Sequence, residues 1–141
     1  MPGESLIEIR DFMGSGYQPL IDFGKWRVAF LRYLDEIQPD RIDSMERHTE
    51  TDEVFVLLQG RGLLIMGGNN PQVDGIHPQK METGKLYNVK LNVWHTILLS
   101  YDATVLLVEN RDTGRHNTEY SQLSPDYRNS IMEIAEHEAF P

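Results

Sequence analysis

The 141-residue sequence carries 22 acidic and 13 basic side chains, a formal net charge of −9 and no cysteine. The length fits a single domain over residues 1–141, and the lack of cysteine excludes disulfides, thiolate metal sites and cysteine nucleophiles. The negative charge argues against nucleic acid or an anionic membrane as partners, and no apolar run can span a bilayer. The N-terminus has neither the basic start nor the apolar core of a signal peptide, so we expect a cytoplasmic protein.

Short apolar runs separated by turn residues predict an all-β sandwich or barrel. Near the N-terminus, residues 6–9 are a candidate strand, and the glycines and proline of residues 14–19 predict a loop after it. Residues 26–34 predict a strand because aromatic and β-branched side chains dominate its start. A helix over residues 27–37 is the competing interpretation, since leucine, alanine and glutamate are good helix formers.

The middle of the chain carries the clearest strand pattern. Further strands are predicted at residues 45–48, 53–59, 63–66, 85–89, 94–100 and 104–109. Between them, residues 67–78 contain Gly-Gly-Asn-Asn-Pro, Asp-Gly and His-Pro, which predict a loop or a wide hairpin end.

The C-terminal segment changes to helical character. Ser124 is suited to the N-cap and Pro125 to the first helical position, and apolar residues then recur at helical spacing. We therefore predict a helix over about residues 124–138, linked to the strands by residues 120–123. Its plain role is to cover a barrel end or a sheet face, and a dimer contact is the alternative.

Four polar side chains are candidates for one interior site. Glu46 and His48 are two residues apart, so on a strand they share a face, and Glu53 begins the next strand. His95 begins a strand much later in the chain. If these strands are neighbours in one barrel, the four side chains converge, and two imidazoles with two carboxylates suit Zn, Mn, Fe or Ni.

The spacing of these residues follows a known pattern between Asp40 and Gly60. His48 is followed by Glu53 after four residues, and Glu53 by Gly60 after six. This run resembles the first motif of the cupin family, G-x5-H-x-H-x3-4-E-x6-G. It departs at two positions, because Asp40 stands where the family has glycine and Glu46 stands where it has the first histidine.

A second, more divergent run begins at Gly84. It resembles the second cupin motif, G-x5-P-x-G-x2-H-x3-N, with His95 at the motif histidine. Lys90 replaces the proline, Asn92 the glycine and Leu99 the final asparagine. Asparagine tolerates positive φ better than other non-glycine residues, so we expect the turn at Asn92 to survive the exchange.

The resemblance covers residues 40–99 and implies a double-stranded β-helix, the jelly-roll barrel of the cupins, which often form homodimers. It implies that motif histidines and glutamates hold a divalent metal. The metal ligands would be Glu46, His48, Glu53 and His95, and the residues expected to line a ligand pocket are Tyr33, Tyr87 and Leu99. Cupins include dioxygenases, isomerases, decarboxylases, sugar-binding modules and storage proteins, so the fold alone selects no activity.

Three functions remain open from the sequence. The first is a cupin with a barrel-centre site for a divalent metal and a small polar ligand, such as a carboxylate or a sugar derivative. The second is a metal-free ligand-binding or regulatory cupin without catalysis, in which Glu46 and Leu99 mark the loss of coordination; a buried His–Glu pair that acts as acid and base is the hypothesis for an enzyme without metal. The third is a structural homodimeric β-barrel.

Overall fold

The computed structural model describes residues 3–141 and places ten strands in two five-stranded antiparallel sheets, followed by one helix. The elements are β1 (Gly16–Phe23), β2 (Trp26–Arg32), β3 (Ser44–His48), β4 (Glu53–Gln59), β5 (Gly62–Met66), β6 (His77–Lys80), β7 (Leu86–Val89), β8 (His95–Leu99), β9 (Thr104–Asn110), β10 (Thr118–Gln122) and α1 (Pro125–His137). Short 3-10 turns lie at Asp35–Ile37, Pro39–Arg41 and Arg115–Asn117.

The two sheets pack face to face as a jelly-roll barrel. The first sheet has the order β1-β2-β9-β4-β7, and the second has the order β10-β3-β8-β5-β6. One apolar cluster, which includes Phe55, Val105 and Leu107, lies between the sheets. The predicted all-β double-stranded β-helix with a C-terminal helix is confirmed.

A second apolar cluster lies between the second sheet and helix α1. The Ser124 side chain caps the helix by accepting a hydrogen bond from the backbone N–H of Tyr127. Ile131 and Ala135 on one face of the helix are buried against the sheet. The helix therefore covers a sheet face. Among residues 3–141, no helix combines the length and the apolar character needed to cross a membrane.

The N-terminal part of the chain differs from the sequence-based expectation. Residues 6–9 form no strand, and the predicted loop over residues 14–19 is wrong, because β1 begins at Gly16 and pairs antiparallel with β2. Pro19 is tolerated there because β1 is an edge strand, and the pairing register shifts beside it. The strand interpretation of β2 is correct, since β2 pairs with both β1 and β9.

Two further strands were not expected. β6 begins in the last two residues of the segment predicted to be a loop and extends two residues beyond it, and β10 begins before the predicted linker and includes most of it. Both are edge strands of the second sheet, and they pair with β5 and β3 respectively. Edge strands need only one bonded neighbour, so sequences such as His-Pro-Gln-Lys, with no alternation of apolar residues, can still form them.

Candidate metal and ligand site

A cavity of about 900 Å³ opens between the two sheets. Its buried end is polar and includes His48, Glu53, His95 and Glu109. The remaining wall is largely apolar and is formed by Leu31, Leu34, Ile37, Ile42, Phe55, Ile97 and Leu107. Exposed residues, among them Arg41 and Arg115, also line it. The cavity therefore connects a buried cluster of titratable groups with the surface.

Strand pairing brings the polar residues together from distant parts of the chain. Glu46 and His48 lie two residues apart on β3, and Glu46 lies opposite His95 in the antiparallel pair of β3 and β8. Glu53 is the first residue of β4 in the facing sheet. The four residues expected from the sequence thus meet in one place, because side chains two apart on a strand share a face.

One carboxylate oxygen lies at the centre of the cluster. Oε1 of Glu53 is 3.2 Å from Nε2 of His48 and 3.1 Å from Nε2 of His95. Oε1 of Glu46 lies farther away, 3.9 Å from the first of these nitrogens and 4.0 Å from the second. Glu53 is therefore the nearest partner of both imidazoles, and Glu46 is an outer member.

The opposite nitrogens of both rings also have partners. Nδ1 of His95 lies 2.9 Å from the carbonyl oxygen of Val93, and a carbonyl only accepts, so this nitrogen carries a hydrogen. Nδ1 of His48 lies 3.0 Å from the hydroxyl of Thr118, which can accept in the same way. When both histidine rings are neutral and carry their hydrogen on Nδ1, the lone pair of each Nε2 points at the carboxylate of Glu53.

The proton affinities of the cluster reflect this arrangement. Burial lowers the pKa of His48 and of His95, but hydrogen bonding to Glu53 and its negative charge outweigh burial, so both pKa values are raised. Burial acts to raise the pKa of Glu53, yet the two imidazoles lower it well below its usual range. The site thus favours positive charge next to Glu53.

Glu109 is a member of the cluster that the sequence interpretation missed. Its Oε2 lies 4.0 Å from Nε2 of His48, and its Oε1 accepts a hydrogen bond from the Tyr17 hydroxyl. Burial, followed by the charge of and hydrogen bonding to Glu53, raises the pKa of Glu109 to about 8. The strand spacing is the signal that could have identified Glu109. Every second residue of β9 from Val105 through Leu107 to Glu109 lies on one face, and all three are buried.

Two overlapping triads have the composition of a metal site. Glu46, His48 and His95 form one, and His48, Glu53 and Glu109 form the other, with ligand atoms in each triad within 4.8 Å of one another. His48 belongs to both triads, so it is the pivotal donor of the cluster.

The structure places the other three candidate pocket residues away from the cavity wall. Tyr33 packs against Tyr101, with ring centroids 4.7 Å apart, and its hydroxyl is buried without a hydrogen-bond partner in the described chain. The Tyr87 hydroxyl accepts a hydrogen bond from the backbone of Glu82. Leu99 is on the inner face but packs in the apolar cluster between the sheets. None of the three is among the cavity-lining residues.

No protein-family model and no curated protein matches the sequence. Solved structures do match. Streptomyces Pac13 with uridine is 9% identical, with a TM-score of 0.54 over 82% of this chain and 86% of that one. Staphylococcus aureus CapF, a capsular polysaccharide assembling protein, is 14% identical, with a TM-score of 0.58 over 81% of this chain and 34% of that one. A cupin-2 domain protein from Shewanella frigidimarina is 14% identical, with a TM-score of 0.48 over 77% and 88%.

The chain has the cupin fold. His48, Glu53 and His95 of this chain occupy the motif positions that the sequence indicated, and they meet inside the barrel. Asn92, which stands at a motif glycine, has φ of 64°, the left-handed conformation expected for that turn. The exchange of glycine for asparagine is thus accommodated by the backbone.

Proposed function

We propose that this cupin holds a divalent transition metal through His48, His95 and Glu53, with Glu46 as an outer ligand. The convergence of two imidazole Nε2 atoms on one carboxylate oxygen carries the proposal. With neutral rings, three lone-pair-bearing atoms face one another, an arrangement that is repulsive unless a cation lies among them. Protons on the histidines or a metal ion can supply that positive charge.

The donor set fits a metal in type and in spacing. Zn, Fe and similar ions bind imidazole nitrogen and carboxylate oxygen at about 2.0–2.2 Å, so neighbouring ligands lie roughly 3–3.5 Å apart. The observed separations from Glu53 Oε1 to the two Nε2 atoms are 3.2 and 3.1 Å. Thr118 and the Val93 carbonyl orient the rings from behind, which is how outer partners fix metal-binding histidines.

The cavity supports a small ligand with one polar end and an apolar body. A bound metal supplies a Lewis-acid contact for an oxygen of such a ligand. The apolar wall that includes Leu31, Ile37 and Phe55 can bury the rest of it, and a volume of about 900 Å³ is within the range of small-molecule sites. Glu109 and Tyr17 also line the cavity and can hydrogen-bond to the polar end.

The metal site is tested by elemental analysis of the purified protein. We expect about one equivalent of metal in the wild-type chain, and a loss of more than tenfold in His48→Ala and in His95→Ala, because each change removes one nitrogen donor. Inductively coupled plasma mass spectrometry gives the metal content, and circular dichroism confirms that the variants fold.

His77→Ala and His137→Ala are matched controls, since both side chains are exposed, lie outside the cavity wall and belong to none of the candidate metal-binding groups. Their metal content should equal that of the wild type. A wild-type chain that stays metal-free after dialysis against zinc, manganese or iron(II) would contradict the proposal.

A second function, metal-free proton transfer, is favoured by the pair formed by Glu53 and Glu109. The two buried carboxylates share one cavity, but their pKa values move in opposite directions, which is the pattern of a base beside an acid. Pac13, which has a similar fold, is described as a nucleoside dehydratase, an activity that requires acid and base groups.

Uridine is the probe for this second function, because Pac13 was solved with it. On this alternative, metal-stripped wild-type protein binds uridine in a saturation-transfer NMR experiment, and Glu109→Gln weakens the binding or leaves bound nucleoside unreacted. Absence of binding to the metal-stripped protein, together with stoichiometric metal in the untreated protein, rejects the alternative in favour of the metal site.

A further inference from the structure

Two arginines in the cavity wall, Arg41 and Arg115, have no partner for their charge within residues 3–141. Neither guanidinium group forms an ion pair or a side-chain hydrogen bond in that part of the chain. Six other basic side chains do pair with acids, namely Arg10, Arg27, Arg47, Lys80, Lys85 and Arg111. Acidic residues outnumber basic ones by 22 to 13, so a shortage of acids does not explain the two free arginines. They are available to bind an anion from outside the chain.

Arg115 begins a short 3-10 turn that a buried side chain fixes in place. Asn117, at the end of this turn, is 5% exposed, and its amide oxygen accepts a hydrogen bond from the N–H of Gly114. Its amide nitrogen donates to the carboxylate of Glu50 and to the carbonyl of Asp112. The backbone at Arg115 is therefore held while its side chain stays exposed and free. A held backbone reduces the ordering cost of binding a ligand.

Strand pairing places the two arginines at opposite ends of the cavity. Arg115 lies three residues before Thr118, which pairs with His48 and whose hydroxyl contacts the His48 ring. Arg41 lies three residues before Ser44, the first residue of β3. Four residue steps along β3 separate Ser44 from His48, a distance of about 13 Å in a strand. Arg115 is thus at the end that holds the polar cluster, and Arg41 is at the other end.

The charged surroundings of the two arginines differ. Glu36 and Asp43, the exposed acids among the cavity-lining residues, lie within five residues of Arg41 in the chain, so that end carries charges of both signs. The acids at the Arg115 end are those of the polar cluster. They would repel an anionic ligand group unless positive charge is present beside it. The proposed metal and Arg115 supply that charge.

We propose that the ligand of this cavity is an amphipathic anion, whose carboxylate or phosphate head lies between the metal and Arg115 and whose apolar body extends along the wall toward Arg41. The planar guanidinium group can donate to two oxygens of such a head at once. Leu31, Phe55 and Ile97 belong to the wall that would bury the body. This inference rests on the proposed function, because it names the class of ligand that the metal site receives.

Calorimetric titration of the zinc-loaded wild-type chain tests the head group with three probes that share one apolar body. The probes are 4-phenylbutanol, 4-phenylbutanoate and 4-phenylbutyl phosphate. At least one of the two anions should bind about tenfold more tightly than the alcohol, because hydrogen bonds to a charged group are stronger than neutral ones. The tighter of the two anions identifies the head. Arg115→Gln should remove most of this preference and leave the affinity for the alcohol unchanged.

Two further arginine variants show whether the position of the charge matters. Arg128 is exposed on α1, lies outside the cavity wall and has no ion pair within residues 3–141, so Arg128→Gln is the matched control. It should bind all three probes as the wild type does. Arg41→Gln should also keep the preference for an anion, because Arg41 lies at the end away from the head.

The outcomes separate this inference from the proposed function. Equal affinity of the wild type for the three probes, or a preference that survives Arg115→Gln, overturns the inference. A wild-type chain that takes up no zinc overturns the metal site, whereas a preference that still depends on Arg115 in that metal-free protein sustains the anionic head. Failure of every probe to bind overturns both the inference and the proposed role of the cavity.

Discussion

Strands β3 and β8 carry different chemistry on their two faces. Toward the first sheet they present Glu46, His48 and His95 to the cavity, and toward helix α1 they present Met45 and Leu98. The cavity face holds polar groups that must satisfy one another, whereas the helix face is filled with apolar side chains. The inner face of the strand pair therefore supplies the site together with part of the core between the sheets, through Ile97 and Leu99, whereas the helix face supplies apolar packing.

Trp94 lies at the border of the two faces. It precedes His95 and, as expected from strand alternation, belongs to the cluster beneath the helix. Its indole N–H donates to the carbonyl of Asn70, and the guanidinium of Arg47 lies 4.2 Å from its ring centroid. The helix face is thus closed by polar contacts at its rim, while the cavity face stays open to solvent.

The largest expected effect on stability comes from creating a cavity in the apolar cluster between helix α1 and the second sheet. Leu98 is 1% exposed, so Leu98→Ala should lower the free energy of unfolding by about 2–5 kcal/mol. Urea unfolding measures the change, with Met132→Ala on the outer side of α1 as a control expected to cost less than about 1 kcal/mol. The metal content of Leu98→Ala should be unchanged. Loss of metal in this variant would show that the two faces are not independent.

The cavity face should respond to pH. The folded-state pKa values of His48, His95 and Glu109 are raised, so the native state holds protons that the unfolded chain releases. Their stabilisation is present at low pH and is lost as pH rises through the folded values. Metal-free protein should therefore lose on the order of 1–2 kcal/mol of stability between pH 6 and pH 8, as measured by urea unfolding. The lowered pKa of Glu53 acts only at much lower pH.

Added metal should behave in the opposite way over the same range. Protons compete with metal for the histidines, so metal affinity should increase from pH 6 to pH 8. Replacing the histidines separates the two effects, since the His48→Ala and His95→Ala double variant should lose most of the pH-dependent metal binding. A metal-free stability that rises with pH over this range would contradict the assigned protonation.

The smallest effect is expected at the helix start. Ser124→Ala removes the side-chain oxygen that accepts from the Tyr127 N–H at 3.1 Å, and should cost about 1 kcal/mol. The change is measured as a shift of the urea midpoint, and Ser130→Ala, at a half-buried position in the middle of the helix, is the control. Because the helix covers only the outer face of the second sheet, ligand and metal binding should be unaffected.

The sequence by itself predicted the central strands and the helix. β4, β8 and β9 are bonded on at least one side to another central strand. β4 and β9 bury alternate residues over most of their length, and β8 is buried at four of its five residues, so their apolar pattern is strong enough to identify them. The helix was predicted from Ser124 at the N-cap and Pro125 at the first helical position. The strands that were missed, β1, β6 and β10, are all edges, where burial is slight and proline is tolerated.

Only the tertiary structure decided which polar residues share the site. Sequence spacing placed Glu46 and His48 on one face, but their meeting with Glu53 and His95 depends on how the two sheets pack. Glu109 joined them because β9 lies beside β4, a neighbour relation between strands that lie far apart in the chain. The packing of the strands also leaves three predicted pocket residues outside the cavity wall, namely Tyr33, Tyr87 and Leu99. Local patterns fix the face on which a side chain lies, and the folding of distant strands fixes what it meets.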